Sequence, residues 1–209
     1  MKIWSDSFRD GGSIPAEFAL ATMDTATRLR RSGNRNPHLA WSEVPAGTES
    51  LALLCIDGDA PQETADVNQA GRSLVFALPR GDFFHWSLVD IAVQQSAIAA
   101  GALSSGCAAR GKADNPASAM RQGINDFCHG LGGRAAMTGD YCGYDGPCPP
   151  WNDLRLHHYI FRIYALDLPR LALPACFSGA DVCAAIHGHI IDEAQLIGTY
   201  TLNPSLGPD

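Results

Sequence analysis

The 209-residue sequence predicts one mostly-β domain with a few short helices and long loops between its strands. Three stretches carry that prediction. Ser50 to Ile56 (SLALLCI) is a nearly unbroken apolar run with turn signals on both sides, which suits a strand buried on both faces better than a helix. Phe83 to Ile91 (FFHWSLVDI) and His158 to Asp167 are rich in aromatic and β-branched residues, and the second also alternates apolar with polar side chains.

The remaining elements follow in chain order. Residues 1 to 20 read as an opening strand (Ile3, Trp4), an Asp10-Gly11-Gly12 turn and a return at Ile14-Pro15. Residues 22 to 37 are polar, poor in apolar side chains and end in Asn36-Pro37, the pattern of a surface loop. Leu39 to Trp41 is a short strand and Val44 to Gly47 a turn. Asp57-Gly58-Asp59-Ala60-Pro61 breaks the strand that Ser50 begins. Residues 62 to 73 are irregular, and Ser73 to Ala77 forms another short strand. Residues 94 to 117, rich in Ala, Gly and Ser, make a long excursion. At its end Asn115-Pro116 supplies an N-cap and a first-turn proline for a short helix through about Arg121.

Gly130, Gly132, Gly133 and Gly139 mark residues 128 to 142 as a second loop. Gly143 to Pro150 (GYDGPCPP) can be neither helix nor central strand. Leu171 to Pro174 is extended. Ser178 with Asp181 is a form of capping box, opening a helix that continues to Ile186 before Gly188 interrupts it. Leu196 to Leu202 (LIGTYTL) closes a sheet. With no internal repeat and no linker, residues 1 to 209 read as a single domain.

Composition excludes several classes of function. A net charge of -7 and a pI near 5.4 argue against capture of nucleic acid or of an anionic membrane, which demand a basic surface. The densest basic cluster, Arg28, Arg30, Arg31 and Arg35, reads as a solvated loop. The N-terminus has no apolar core after Lys2, so no signal peptide is expected. No apolar run approaches the roughly 20 residues of a transmembrane helix. Seven cysteines without a secretion signal point to free thiols in the cytoplasm. The absence of CxxC removes support for a zinc ribbon or a thioredoxin-type site. Cys142 and Cys148 flank the proline-rich loop and read as packing residues.

Polar residues gather at three strand ends: Asp57 and Asp59 after one, His85 within the next, and His157, His158 and Tyr159 at the start of the third. Alternation places His157 and Tyr159 on one face and His158 on the other. If His85, His157, Tyr159 and an Asp converge, the set suits a small anion. Imidazole N–H and phenol O–H are donors, and a carboxylate behind a histidine fixes its tautomer or raises its charged fraction. The Gly/Pro loop would add backbone N–H groups. The bland alternative is that each histidine is a satisfied structural residue. Two His and a carboxylate also make a ligand set for zinc or iron. Against this, HExxH is missing, and the one HxH, His187-Gly188-His189, lies elsewhere. No GxSxG supports a nucleophilic hydrolase.

In their order and spacing these pieces resemble the phosphatidylethanolamine-binding protein family, in its bacterial Raf-kinase-inhibitor-like branch. The matching blocks are Asn36 to Ser42 (NPHLAWS), Val44 to Thr48 (VPAGT), Ser50 to Pro61 (SLALLCIDGDAP), Phe84-His85-Trp86, Gly143 to Pro150, and His157-His158-Tyr159 with Phe161 and Tyr164 to Asp167 (YALD). The resemblance implies a Greek-key β-sandwich with a large central antiparallel sheet, short peripheral helices, and a small surface pocket for phosphate-like anions. Carried over residue by residue, it implies a ligand site of Asp57, Asp59, Ala60, Pro61, Phe83, His85, Gly146, Pro147, Pro149, Pro150, His157 and Tyr159. It implies no cofactor, no metal and no catalysis. Three positions depart from the pattern: Gly58 stands where the family usually has proline, Asn36 replaces a common serine, and residues 94 to 142 form a longer, Ala/Gly-rich stretch.

The leading expectation is a cytoplasmic, non-enzymatic protein that binds a phosphorylated head group or a phosphorylated partner. By analogy with the animal members that partner is kinase-like, and binding weakens above about pH 7 as the histidines lose charge. A hydrolase or metalloenzyme built on the same cluster is the alternative. A third reading is a homodimer module with a vestigial pocket.

Overall fold

The computed structural model describes residues 1–109, 111–113, 119–129 and 139–206. Its centre is a five-stranded antiparallel sheet in the order β10 (Ile190–Tyr200), β9 (His157–Leu166), β5 (Ser50–Pro61), β6 (Arg80–Ile91) and β8 (Arg121–Gln122). A three-stranded sheet, β1 (Lys2–Trp4), β4 (Leu39–Ser42) and β7 (Ala97–Ile98), covers one face. Leu51, Leu53 and Cys55 of β5, Trp86 and Leu88 of β6, and Phe161 and Ile163 of β9 meet Leu39, Trp41 and Ile98 there in one core. The other face of the central sheet (Ala52, Leu54, Val89, Tyr164 and Leu166) packs on Phe177 and on Val182 and Ile186 of an α-helix, α1 (Gly179–Ile186). Both faces of β5 are therefore dry, which is why its sequence is continuously apolar. Leu51 to Cys55 are all 0% exposed, and each such large side chain contributes roughly 1.5–3 kcal/mol. The protein is mostly β with antiparallel sheets, as expected.

The capping box forms as read. Ser178 Oγ accepts from the Asp181 N–H at 3.2 Å, and the Asp181 carboxylate accepts from the Ser178 N–H at 2.8 Å. Other expectations need correction. Residues 22–37 are not all loop: β2 (Ala21–Asp24) and β3 (Arg28–Arg31) form a hairpin whose turn is closed by Asp24 Oδ1 accepting from the N–H groups of Ala26 and Thr27. The hairpin is mostly solvated, so its apolar signal is confined to Ala21 and the cross-strand pair Met23 and Leu29. Asp57 to Pro61 does not break β5. The strand continues through a register shift, since β9 pairs with it as far as Asp57 and β6 pairs with Ala60 and Pro61 beyond. Ser73–Ala77 is not a strand; Leu74 makes a single bridge to Asp153. The helix expected from Asn115-Pro116 begins outside the described residues, and Arg121 belongs to β8.

Candidate functional site

The register shift at the end of β5 organises the site. Asp57 pairs across β9 with Tyr159 and across β6 with Phe83. Its Oδ1 accepts from the Asp59 N–H at 2.8 Å, a local Asx turn. The turn sends the two carboxylates to different partners. Asp57 Oδ2 meets His157 Nδ1 at 2.7 Å, whereas Asp59 meets His158 Nδ1 at 2.8 Å and Arg155 at 2.9 Å. Asp59 thus belongs to a surface ion cluster and not to the Asp57 cluster. Burial would raise its carboxyl, but the bonds from His158 and Arg155 leave it below the usual range.

His157 is held at both ring nitrogens: Nδ1 by Asp57 and Nε2 by Asp153 at 3.1 Å. Arg80 closes the chain with a fork onto Asp153. Two carboxylates and two cations alternate here, almost wholly buried. Burial disfavours the imidazolium, yet the bonds to Asp153 and Asp57 outweigh it and hold His157 at about 9. Burial likewise acts to raise Asp153, and its bonds to His157 and Arg80 win, bringing it to about 2. Since both of its N–H groups are committed to carboxylates, His157 has none to offer an anion. Its role is to fix Asp57.

His85 is the opposite case. Its Nδ1 lies 2.7 Å from the carbonyl oxygen of Asp145, so Nδ1 carries the proton and donates. Nε2 makes no bond to a described residue, and in the neutral ring it is a lone pair. Burial pushes the His85 pKa down, against the raising influence of Asp57. The ring packs between Phe83 (centroids 4.9 Å), Phe127 (5.3 Å) and Tyr159 (5.1 Å). Tyr159 is 0% exposed, and its hydroxyl has no hydrogen-bond partner among the described residues. An orphaned buried hydroxyl costs roughly 1–3 kcal/mol.

The loop that holds His85 is itself anchored by a buried network. The Asp145 carboxylate accepts from Asn34 Nδ2 at 2.6 Å, Asn125 Nδ2 at 2.8 Å and Lys112 Nζ at 3.4 Å. Asn34 Oδ1 accepts the Gly146 N–H at 2.8 Å, and the Pro147 carbonyl accepts the N–H of Leu20 at 3.0 Å. A Cβ on Gly146 would lie 2.0 Å from the Phe18 carbonyl oxygen, so only glycine fits. The Gly146 N–H, one of the loop donors expected for a ligand, is thus spent on anchoring. Ala60 and Pro61 pair with Gly81 and Arg80 at the end of the sheet. Pro147, Pro149 and Pro150 of the loop are buried.

The structure therefore brings together Asp57, His85, His157, Tyr159 and Phe83, and leaves Asp59 outside. The group lies below the surface: Asp57 and His85 are 3% exposed and His157 1%. The expected loss of histidine charge above pH 7 is revised too, since His157 stays charged to about 9 and His85 is pushed the other way. Asp153, Arg80, Asp145, Asn34 and Asn125 were missed from sequence. Asp145 and Asp153 lie in or beside the GYDGPCPP block, the one local signal available. Among the described residues no three His, Cys, Asp or Glu side chains are arranged to hold a metal ion. No disulfide joins Cys142 to Cys148, and burial pushes the Cys148 thiol up to about 12.

A two-sheet antiparallel protein with a buried His/Asp/Tyr cluster where its central strands end is a well-defined class. The chain belongs to the phosphatidylethanolamine-binding protein family, whose model matches residues 4–201. Among its relatives, a UPF0098 protein of Aquifex aeolicus is 31% identical over 204 residues, spanning 96% of this chain and 88% of the relative. Escherichia coli YbhB is 28% identical over 201 residues, 96% of this chain and 100% of YbhB. The crystal structure of E. coli YbcL, described as a new member of the mammalian family, superposes with a TM-score of 0.67 at 25% identity, covering 96% of this chain and 97% of that one. No helix among the described residues is long and apolar enough to cross a membrane.

Proposed function

We propose that this chain is a non-enzymatic binding protein whose ligand presents a phosphate-like anion to His85 and Tyr159, either as a phosphorylated head group or as a phosphorylated side chain of a partner. One observation carries the reading: the Tyr159 hydroxyl, fully buried and without a described partner, next to an imidazole whose Nε2 is also uncommitted. Buried polar groups are nearly always paired, so an orphaned hydroxyl on a ring packed against His85 marks a place where an oxygen-rich group completes the hydrogen bonding. The surrounding groups are locked by partners of their own: His157 by Asp57 and Asp153, and the loop by Asp145 and its amides. Such rigidity lowers the cost of binding. Two routes to a covalent hydrolase find no support here: burial raises the Cys148 thiol to about 12, and His157 Nε2 faces the Asp153 carboxylate instead of a hydroxyl. Calorimetric titration with inorganic phosphate tests the reading. Binding by the native chain and its loss in His85→Ala is expected, and equal heats from both proteins would refute it.

A further inference from the structure

The basic cluster of the sequence lies on the β2–β3 hairpin, outside the His85 site. Ala21, Met23 and Leu29 turn one face of the hairpin to the core. Alternation puts Arg28 and Arg30, the neighbours of Leu29, on the other face, and both are exposed. Residues 21–31 hold three arginines and one aspartate, a net +2, which leaves -9 for the rest of the chain. Arg35, Arg72, Arg80, Arg121 and Arg155 all face carboxylates. Arg28 and Arg30 form neither an ion pair nor a hydrogen bond among the described residues. The acid of the hairpin, Asp24, spends Oδ1 on the turn and stands near Arg30 without pairing with it.

Arg28 is also held in a way the turn alone does not require. Its φ of +68° follows the three-residue turn Thr25–Thr27, a position where glycine is the favoured occupant. What arginine adds there is its side chain, whose guanidinium lies 4.1 Å over the Trp151 ring. Trp151 directly follows the Gly143–Pro150 loop, and its N–H is fixed by Asn68 Oδ1 at 2.9 Å. On that same turn Asp66 is already engaged by Arg72 at 3.7 Å. A guanidinium stacked on an indole keeps its in-plane N–H groups available, in a planar fork that matches a carboxylate. We propose that Arg28, stacked on Trp151, and Arg30 form a docking site for an acidic segment of a protein partner, separate from the His85 site. A short acidic segment meets only the hairpin. Nucleic acid or an anionic membrane extends over the remaining, negatively charged surface and is repelled by it.

The test is fluorescence anisotropy on the full chain with a labelled hexaglutamate peptide, against a labelled Gly/Ser hexapeptide. Hexaglutamate should bind and the neutral peptide should not, with affinity falling as salt rises from about 0.05 to about 0.3 M. Replacing Arg28 and Arg30 together by glutamine should weaken binding by about tenfold. Calorimetry with inorganic phosphate should give the same heats in that double variant as in the native chain. Arg28→Gly should weaken hexaglutamate binding while leaving Tm unchanged or higher, because glycine relieves the left-handed backbone. A lower Tm with undiminished binding would make the arginine purely structural and overturn the proposal. So would native and double-variant affinities within about twofold, or no binding of hexaglutamate up to about 1 mM. Loss of phosphate heats in the double variant would overturn the separation of the two sites. A short single-stranded oligothymidylate or phosphatidylglycerol vesicles bound more tightly than hexaglutamate, through the same arginines, would overturn the choice of partner.

Discussion

Replacing Tyr159 by phenylalanine separates a ligand-binding hydroxyl from a structural one, because the two predict opposite changes in stability. The hydroxyl is 0% exposed and has no partner among the described residues, so in the free protein it is a net cost. Unpaired buried hydroxyls cost about 1–3 kcal/mol in proteins. Part of that is recovered by the isosteric ring, which keeps its edge contact with His85 at 5.1 Å. Tyr159→Phe should therefore stabilise the free chain by about 1–2 kcal/mol, or about 2–8 °C in Tm for a domain of this size. Phosphate binding should fall in the same variant. A hydrogen bond to a charged group is worth about 1.5–3 kcal/mol, a loss of roughly tenfold to 150-fold in affinity. Scanning calorimetry with and without phosphate reads both effects: a higher Tm alone, and a smaller upward shift when phosphate is added. A lower Tm in the absence of anion would show that the hydroxyl has a structural partner, and the reasoning would fail.

Other outcomes follow from the same geometry. Asp153→Asn takes one carboxylate from the His157–Arg80 chain and leaves buried positive charge uncompensated, so urea denaturation should show a loss of about 3–5 kcal/mol. Stability should also depend on pH with a definite sign. His157, raised from 6.5 to about 9, contributes fully below pH 6.5, and that contribution disappears as pH rises through about 9. Asp153, lowered from 3.8 to about 2, contributes above pH 3.8 and loses its effect as pH falls through about 2. The unfolding free energy should be flat between these limits and drop by about 3 kcal/mol on the alkaline side; a flat profile from neutral to about pH 9 would contradict the assignment. The two glycines of the site differ. Gly146→Ala should destabilise by about 3 kcal/mol or more, because its Cβ meets backbone at 2.0 Å. Gly58→Ala, whose Cβ touches only Asp82 Oδ1 at 3.9 Å, should be neutral or stabilising by about 0.4–1 kcal/mol.

What could be read in the chain reflects where each signal resides. β5, β6 and β9 were legible because burial on one or both faces writes itself into consecutive residues. The hairpin of β2 and β3 was not, since only Ala21, Met23 and Leu29 of its residues pack on the core, too few to write an alternating pattern. Asp57 to Pro61 carries local turn chemistry, and only the neighbouring strands reveal that it stays in the sheet. Alternation placed His157 and Tyr159 on one face, as observed. Function at the level of single nitrogens was out of reach. Whether a histidine can donate to a ligand depends on partners such as Asp153 and the Asp145 carbonyl, and the latter lies 60 residues from His85 in the chain. The Gly146 N–H met the same fate, consumed by Asn34 across 112 residues.

The most direct test is nitrogen NMR of the histidine rings, recorded before and after addition of inorganic phosphate at neutral pH. In the free protein His157 should appear as a doubly protonated ring and His85 as a neutral ring protonated at Nδ1. Phosphate should then shift His85 Nε2 strongly while leaving His38, His187 and His189 unmoved. A His85 ring protonated at Nε2 in the free state, or phosphate-induced shifts confined to the other histidines, would contradict the account.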